Sequence, residues 1–446
     1  MKVLRRIRPL VLAAACVAPA LVHCSAATLP PEGQLLVYVD TDAPLPSEPG
    51  TSDDGAPLAL FDAVRIEVVD RGSLAPACSE CQRDFDVSTA ARKRGISFGV
   101  VPSVNGDSRM VRVRFFRRLA SRGGELPPSS VLEGRFELPS VAAEGIAAWT
   151  ASVSLESLGR NLDVRPMQAG RTAPLDTHPG VLPKTCSLAA RANEVCVPGG
   201  AFWMHSGLYL FRASGVPSDE RVVSVSPFFL DEHEVTVAEL RASGTATAGD
   251  PFRSEAQGCS YTDAPGDHDD LPVNCISALA AEVYCASLGK RLPSEAEYEY
   301  AASLGGRSPF VWGSDEPQCE DAVFLRAPLP GEPALPAPPC SAWGGTLGRA
   351  GSTPRDAANF GSGRALDLVG NVSEWTRDSF ASDGDDCMQP GFYRDPVCRP
   401  DQPSGPRVAK GGNWMQAAFP SYLRRSVRAT SLNTTMGFRC ARAGSE

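Results

Sequence analysis

The stretch from Lys410 to Arg442, KGGNWMQAAFPSYLRRSVRATSLNTTMGFRCAR, gathers the side chains of this sequence that could do chemistry. Ser421, Arg424, Arg425, Arg428 and Asn433 lie close together in it. An arginine fork pairs with a carboxylate or sulfate through two parallel N–H bonds, so the cluster could clamp an anion. The same residues also suit an ion-paired or solvated segment. Other motifs fail on inspection. Cys78-Ser79-Glu80-Cys81 has CxxC spacing, but no second pair or His partner supports zinc, and the βαβ context of a redox motif is missing. A loop-closing disulfide is the better reading. His233-Glu234 begins like HExxH, and Val237 stands where the second His should be. No GxSxG, P-loop or dinucleotide fingerprint is present.

These groups need a frame, and composition indicates its kind. The chain of 446 residues has room for two or three domains, and 43% hydrophobic residues suffice for a sizeable core. With 41 glycines and 39 prolines, a loop-rich fold with short strands is favoured over a helical bundle. The net charge of −9 argues against a nucleic-acid partner. Residues 1–24 read as a signal peptide: Lys2, Arg5, Arg6 and Arg8 precede a short apolar run from Pro9 to Val22. That run ends in Leu21-Val22-His23-Cys24 and resembles the lipobox of bacterial lipoproteins, His23 departing from its usual small residue. The expectation is lipidation at Cys24, with plain secretion and cleavage near Ala26 or Ala27 as the alternative. Lipidation would give an exported envelope protein anchored to a membrane, an outer-membrane lipoprotein facing periplasm or cell surface.

Export fits the cysteines. Beyond Cys16 and Cys24 an even number remains, in a compartment that permits disulfides. Cys78/Cys81, Cys186/Cys196, Cys259/Cys275, Cys319/Cys340 and Cys387/Cys398 form short-range couples. Cys285 and Cys440 are left over, and the sequence alone does not fix the connectivity.

Residues 34–162 alternate with period two: Val64, Ile66 and Val68 against Arg65 and Glu67, and Val111, Val113 and Phe115 against Arg112 and Arg114. About six such runs predict a small all-β, antiparallel sandwich-like domain. Its arginines at 112, 114, 117, 118 and 122 read as a solvated strand face. Residues 163–192 are rich in Pro, Gly and Thr and read as a linker. In the second domain Thr236 with Glu239 and Ser294 with Glu297 form capping boxes, and Ser277 caps a helix that stops at Gly289. Lys290 and Arg291 with Glu295 and Glu297 are expected to pin a helix start, and Trp312 and Trp375 to be core.

Over residues 194–442 the motifs form a series: Pro198-Gly-Gly200, PFFLDEHEVT (227–236), GKRLPSEAEYEYA (289–301), Phe310-Val-Trp-Gly313, GNVSEW (370–375), then GGNW and GFRCAR. This series resembles the formylglycine-generating, sulfatase-modifying-factor family. The resemblance implies an α+β fold, a loop-rich variant of the C-type-lectin fold. It also implies a Cys285–Cys440 disulfide, and a structural calcium held by Asp367, the carbonyls of Gly370 and Val372, and Glu374. Hard oxygen donors in a tight loop suit calcium, and Asp367 replaces the family's more usual Asn. The family's oxidases bind copper(I) through two cysteines. The matching positions here are Gln416 and Ser421, so no copper is expected. The related iron-dependent sulfoxide synthases use a His-x3-His-x-Glu triad, a spacing none of the five histidines has. The expectation is therefore a membrane-anchored, non-catalytic binding or scaffold module for a protein or glycan, with Gln416, Ser421, Arg424, Arg425, Arg428 and Asn433 in the old substrate groove. The alternative is an enzyme of the family with different chemistry.

Overall fold

The computed structural model describes residues 33–48, 56–101, 109–140, 145–160, 163–206, 220–246, 258–324, 346–382, 385–399, 402–416 and 418–445. The expected signal segment with Cys24 lies outside them, as does Cys340.

The first region builds β1 (Gln34–Thr41), β2 (Ala63–Asp70), β3 (Gln82–Asp86), a short helix α1 (Thr89–Arg94) and β4 (Ile96–Val100). Then come β5 (Arg109–Phe116), β6 (Leu132–Glu137), β7 (Ile146–Val153), β8 (Val164–Arg165) and β9 (Gln168–Ala169). They form two sheets, ordered β4-β1-β7-β9 and β3-β2-β5-β6-β8, that share one apolar core of Leu35, Val37, Val64, Val111, Val113, Phe115 and Val153. The sheets are mixed, not antiparallel as the alternation led us to expect. β7 re-enters beside β1 in the parallel sense after the chain has built strands of the other sheet, and β8 lies parallel to β6. Period-two burial fixes which residues face the core but carries no information on strand direction.

The arginines of β5 are not a bare solvated face. Arg112 bonds Glu133 at 2.7 Å and Arg114 bonds Glu67 at 2.8 and 2.9 Å, forming an ion-pair ladder across three strands. The stretch 163–192 carries β8 and β9 on the edges of both sheets, and its His178 and Val181 are buried.

Among its described residues the second region has short strands and three α-helices. It opens with β10 (Glu194–Val197), β11 (Gly200–Met204), β12 (Arg221–Val225) and β13 (Phe228–Asp231). The helices are α2 (Val237–Ser243), α3 (Ala278–Ser287) and α4 (Glu295–Ala302). The capping boxes form on α2 and α4, and Ser277 caps α3 by accepting from the Ala280 N–H. The chain then lays down β14 (Ala357–Asn359), β15 (Arg364–Leu366), β16 (Ser373–Ser379) and β17 (Phe392–Arg394). It ends with β18 (Pro406–Lys410), β19 (Arg425–Arg428), β20 (Met436–Gly437) and β21 (Ala441–Ala443). β19-β18-β16-β20 forms the sheet that carries the candidate site. α4 is buried along its whole length, Glu295, Glu297 and Glu299 included. The region is a sheet-rich α+β fold held by the bridges Cys186–Cys196, Cys259–Cys275, Cys285–Cys440 and Cys387–Cys398, while Cys78–Cys81 closes a turn in the first region.

Candidate functional site

β18 delivers the chain to Gly411, whose φ of +74° and closeness to Tyr298 (an added Cβ would sit 2.7 Å from the hydroxyl) require glycine. The backbone then docks on the GNVSEW loop: the Gly412 N–H donates to the Val369 carbonyl at 2.8 Å, and that of Trp414 to Asn371 at 2.9 Å. Asn413 is fully buried. Its side-chain amide donates to Ser373 Oγ at 3.0 Å and to Gln416 Oε1 at 3.1 Å, which fixes Gln416. Arg425, on β19 across the sheet, donates to both Gln416 Oε1 and Ser373 Oγ. Gln416, Arg425, Ser373 and Asn413 are thus one hydrogen-bonded cluster.

The other candidates from the sequence go elsewhere. Arg424 turns inward and grips Glu295 with two bonds of 2.8 Å while lying over Phe380. Arg428 is exposed at the end of β19. Ser421 is buried, its N–H donating to the Pro309 carbonyl at 2.8 Å. Asn433 builds a turn, its Oδ1 accepting from the Thr435 N–H and hydroxyl at 3.0 and 2.9 Å. The six residues therefore do not form one clamp.

Beneath this surface lies an ionic network that sequence reasoning missed in part. Arg291 pairs with Glu297, as expected, but Lys290 reaches Glu194 and Asp231 instead of Glu295. Glu295 takes Arg424 and His205, and Glu299 takes Lys410 at 2.8 Å. His205, Glu295 and Glu299 bring possible metal-ligating atoms within 4.8 Å of one another. Lys410 and Arg424 already balance the two carboxylates, so the set reads as a buried salt-bridge network. Burial alone would raise the Glu295 carboxyl; His205, Arg424 and Lys410 more than offset it and hold it well below the usual range.

The expected calcium loop is also fully buried. Asp367 and Asn371 both take left-handed backbone, φ +55° and +63°, which tightens the loop. Asp367 accepts from the Gly351 N–H and from Thr353 Oγ1 at 3.0 Å. Asp356 accepts the N–H groups of Leu368, Val369 and Gly370. Glu374 is shared: Arg439 grips both its oxygens at 2.7 to 3.0 Å and Tyr298 adds a bond of 3.2 Å. Glu234, from the DEHEVT motif, is the residue the sequence reading passed over once its HExxH resemblance failed. It is fully buried, and neither carboxylate oxygen has a hydrogen-bond donor. Burial, with Asp367 nearby, pushes its carboxyl well up. Four buried carboxyl groups lie around one guanidinium, a hard-oxygen set that suits a divalent cation in charge and donor chemistry, though among the described residues only His205, Glu295 and Glu299 bring three such ligand atoms within 4.8 Å of one another. Copper(I) does not fit at 416 and 421: an amide and a hydroxyl replace soft thiolates there, and the described cysteines are all disulfide-bonded.

Residues 180–444 match the sulfatase-modifying factor enzyme 1-like domain. The formylglycine-generating enzyme of Streptomyces coelicolor is 27% identical over 309 residues, covering 56% of this chain and 88% of that protein. The hercynine oxygenase of Mycobacterium tuberculosis is 33% identical over 166 residues, covering 36% of this chain; the chain spans only 33% of that relative's length. Among solved structures, PvdO from Pseudomonas aeruginosa is similar at 23% identity and a TM-score of 0.42, covering 56% of this chain and 94% of that one.

Proposed function

Since the chain belongs to the sulfatase-modifying factor enzyme 1-like family, we propose that its family domain works as a binding module and not as an oxidase. The observation that carries this reading is Gln416. Where the family's oxidases need a copper-binding thiolate, an amide is locked by Asn413 and Arg425, and the second position is a buried serine. What remains is a rigid frame presenting loops, the usual platform for recognition. In this proposal the module is exported, tethered to a membrane by lipid on Cys24, and recognises a protein or glycan of the envelope. The sandwich-like first region fixes its orientation. A structural calcium would be held by Asp367, the carbonyls of Gly370 and Val372, and Glu374 with Arg439 retained beside it. Calcium would supply charge neutralisation to the buried loop and no chemistry at Gln416.

The test is direct. Purified protein is incubated with copper(I), oxygen and a cysteine-type sulfatase peptide, and aldehyde is captured with a hydrazide probe. No aldehyde above a protein-free control is expected. Catalytic conversion of the peptide would overturn the reading.

A further inference from the structure

The C-terminal stretch pairs its cations carefully. Arg407 faces Glu282 at 3.0 Å, Lys410 faces Glu299, Arg424 faces Glu295, Arg439 faces Glu374 and Arg442 faces Glu194. Two arginines break the rule: Arg428, which is exposed to solvent, and Arg425, which is not. Among the described residues no carboxylate lies within ion-pair distance of it. Its two hydrogen-bond partners, Gln416 and Ser373, are neutral, and its Nε is buried without an acceptor. A guanidinium has five N–H donors, and these bonds use two. Burial pushes its pKa down to about 10, the sign of a charge that has lost water and gained no counter-ion. Arg425 is half-buried, and folds ordinarily pair a cation that has given up part of its hydration.

The surroundings narrow the missing anion. Phe419 lies under the guanidinium, 5.3 Å from ring centroid to Cζ. Met415, next to Gln416, and Leu423, two residues before Arg425, are exposed at 47% and 39%. Flexible Met and Leu side chains suit the apolar side chains of a peptide better than a sugar ring, which favours flat aromatic platforms.

We propose that Arg425 is the anchor for a carboxylate carried by a peptide, with Gln416 as its neutral partner and Met415, Phe419 and Leu423 receiving the apolar residues that flank that carboxylate. The proposal rests on the binding-module reading and names the ligand class of that site. Arg424 and Arg428 are not part of it, since one is spent on Glu295 and the other is exposed.

The experiment uses the mature chain labelled with 15N-arginine. It is titrated with phenylacetate, with phenylacetamide, and with blocked hexapeptides carrying a central Glu or Gln between leucines; oligogalacturonate represents a glycan carboxylate. The Arg425 Nε–H resonance, assigned by its loss in Arg425→Gln, is expected to shift saturably with phenylacetate and not with phenylacetamide. Glu peptides are expected to bind at least tenfold more tightly than Gln peptides. Arg425→Gln should remove that preference, Arg425→Lys should retain part of it, and Arg428→Gln should leave it intact. Because the charge is unpaired, Arg425→Gln is expected to melt no lower than wild type; a marked drop would point to a structural role and overturn the assignment. Absence of any carboxylate-dependent shift, or Glu and Gln peptides binding alike, overturns it too. Oligogalacturonate binding in preference to peptides overturns the peptide assignment. Peptide binding without carboxylate preference would sink the Arg425 anchor alone and leave the binding module standing. Aldehyde production in the copper assay would sink the module itself.

Discussion

At Glu374 and Arg439 a fully buried carboxylate and guanidinium neutralise each other, and Tyr298 and the Leu366 carbonyl complete their hydrogen bonds. The three carboxyl groups beside them have no such partner. Asp356 and Asp367 are served by backbone N–H groups and a hydroxyl, and Glu234 lies beside the Asp367 carboxyl with no cation gripping it. Burial pushes all three carboxyl groups up toward their protonated forms, and a divalent cation bound among them would instead hold them ionised. If calcium fills this role, it binds the folded chain and not the unfolded one. At a free concentration one hundred times its dissociation constant it then contributes about 2.7 kcal/mol. Chelator-treated protein at neutral pH is therefore expected to melt several degrees below calcium-saturated protein. Asp367→Asn, which returns the residue common in the family, should shrink that gap by weakening the site. Magnesium, with its stricter octahedral shell, should not substitute. Superimposable melting curves with calcium and with chelator, alongside no calcium retained in equilibrium dialysis, would remove the ion from the proposal.

Among the elements, the long bridge Cys285–Cys440 joins α3 to the strand end before β21, across a sequence separation of 155. Loop-closure entropy makes such a bridge worth more than a short one: about 5 kcal/mol, against about 3 for the separation of 10 between Cys186 and Cys196. Replacing both cysteines of the long pair by alanine should lower the urea midpoint more than the same change in the short pair; equal losses would contradict the entropic account. Such elements differ in how far the sequence revealed them. The caps of α2, α3 and α4 were legible because a Ser or Thr and the N–H it accepts lie three residues apart, and short-range cysteine couples are local in the same sense. The Cys285–Cys440 pairing came through family resemblance. What stayed hidden is non-local. The glutamates of α4 look like an exposed face, yet Glu295 meets Arg424 across 129 residues and Glu299 meets Lys410 across 111. Arg424 and Arg425, adjacent and chemically identical, separate into a structural ion pair and an unpaired cation because successive residues at a strand edge point to opposite sides. No spacing rule assigns which of the two faces the core.

Seen whole, the two regions share a core. Ala201, Trp203 and Val222, from β11 and β12, pack into the same apolar cluster as Leu35, Phe61 and Phe115 of the first region. Trp203 is the centre of the contact: its indole N–H donates to the Leu60 carbonyl at 2.9 Å, Phe61 meets it edge-on at 5.7 Å, and Arg117 lies over its ring at 4.1 Å. Arg117 continues to the buried Glu220 at 2.5 Å, which also accepts from Ser130 at 2.6 Å. Most of the second region packs in its own clusters around Phe228 and Phe438, but this joint ties them to the first region's core, so calorimetry on the purified protein is expected to show one transition. Trp203→Ala would open a cavity at the joint and strip Arg117 of its ring. A loss of about 3 to 5 kcal/mol is expected, since a large aromatic side chain is deleted from a packed interior. The same substitution should split the single transition in two, because the remaining Arg117–Glu220 pair cannot couple the regions once its apolar cover is gone. Two transitions already present in the wild-type chain, or a single unchanged one in Trp203→Ala, would show that the joint is not cooperative. The coupling bears on recognition: the strand that carries Arg425 pairs with β18, β18 packs on α4, and α4 packs on β11 at the joint with the first region. The peptide-binding face would then keep a fixed direction relative to whatever surface the first region rests on.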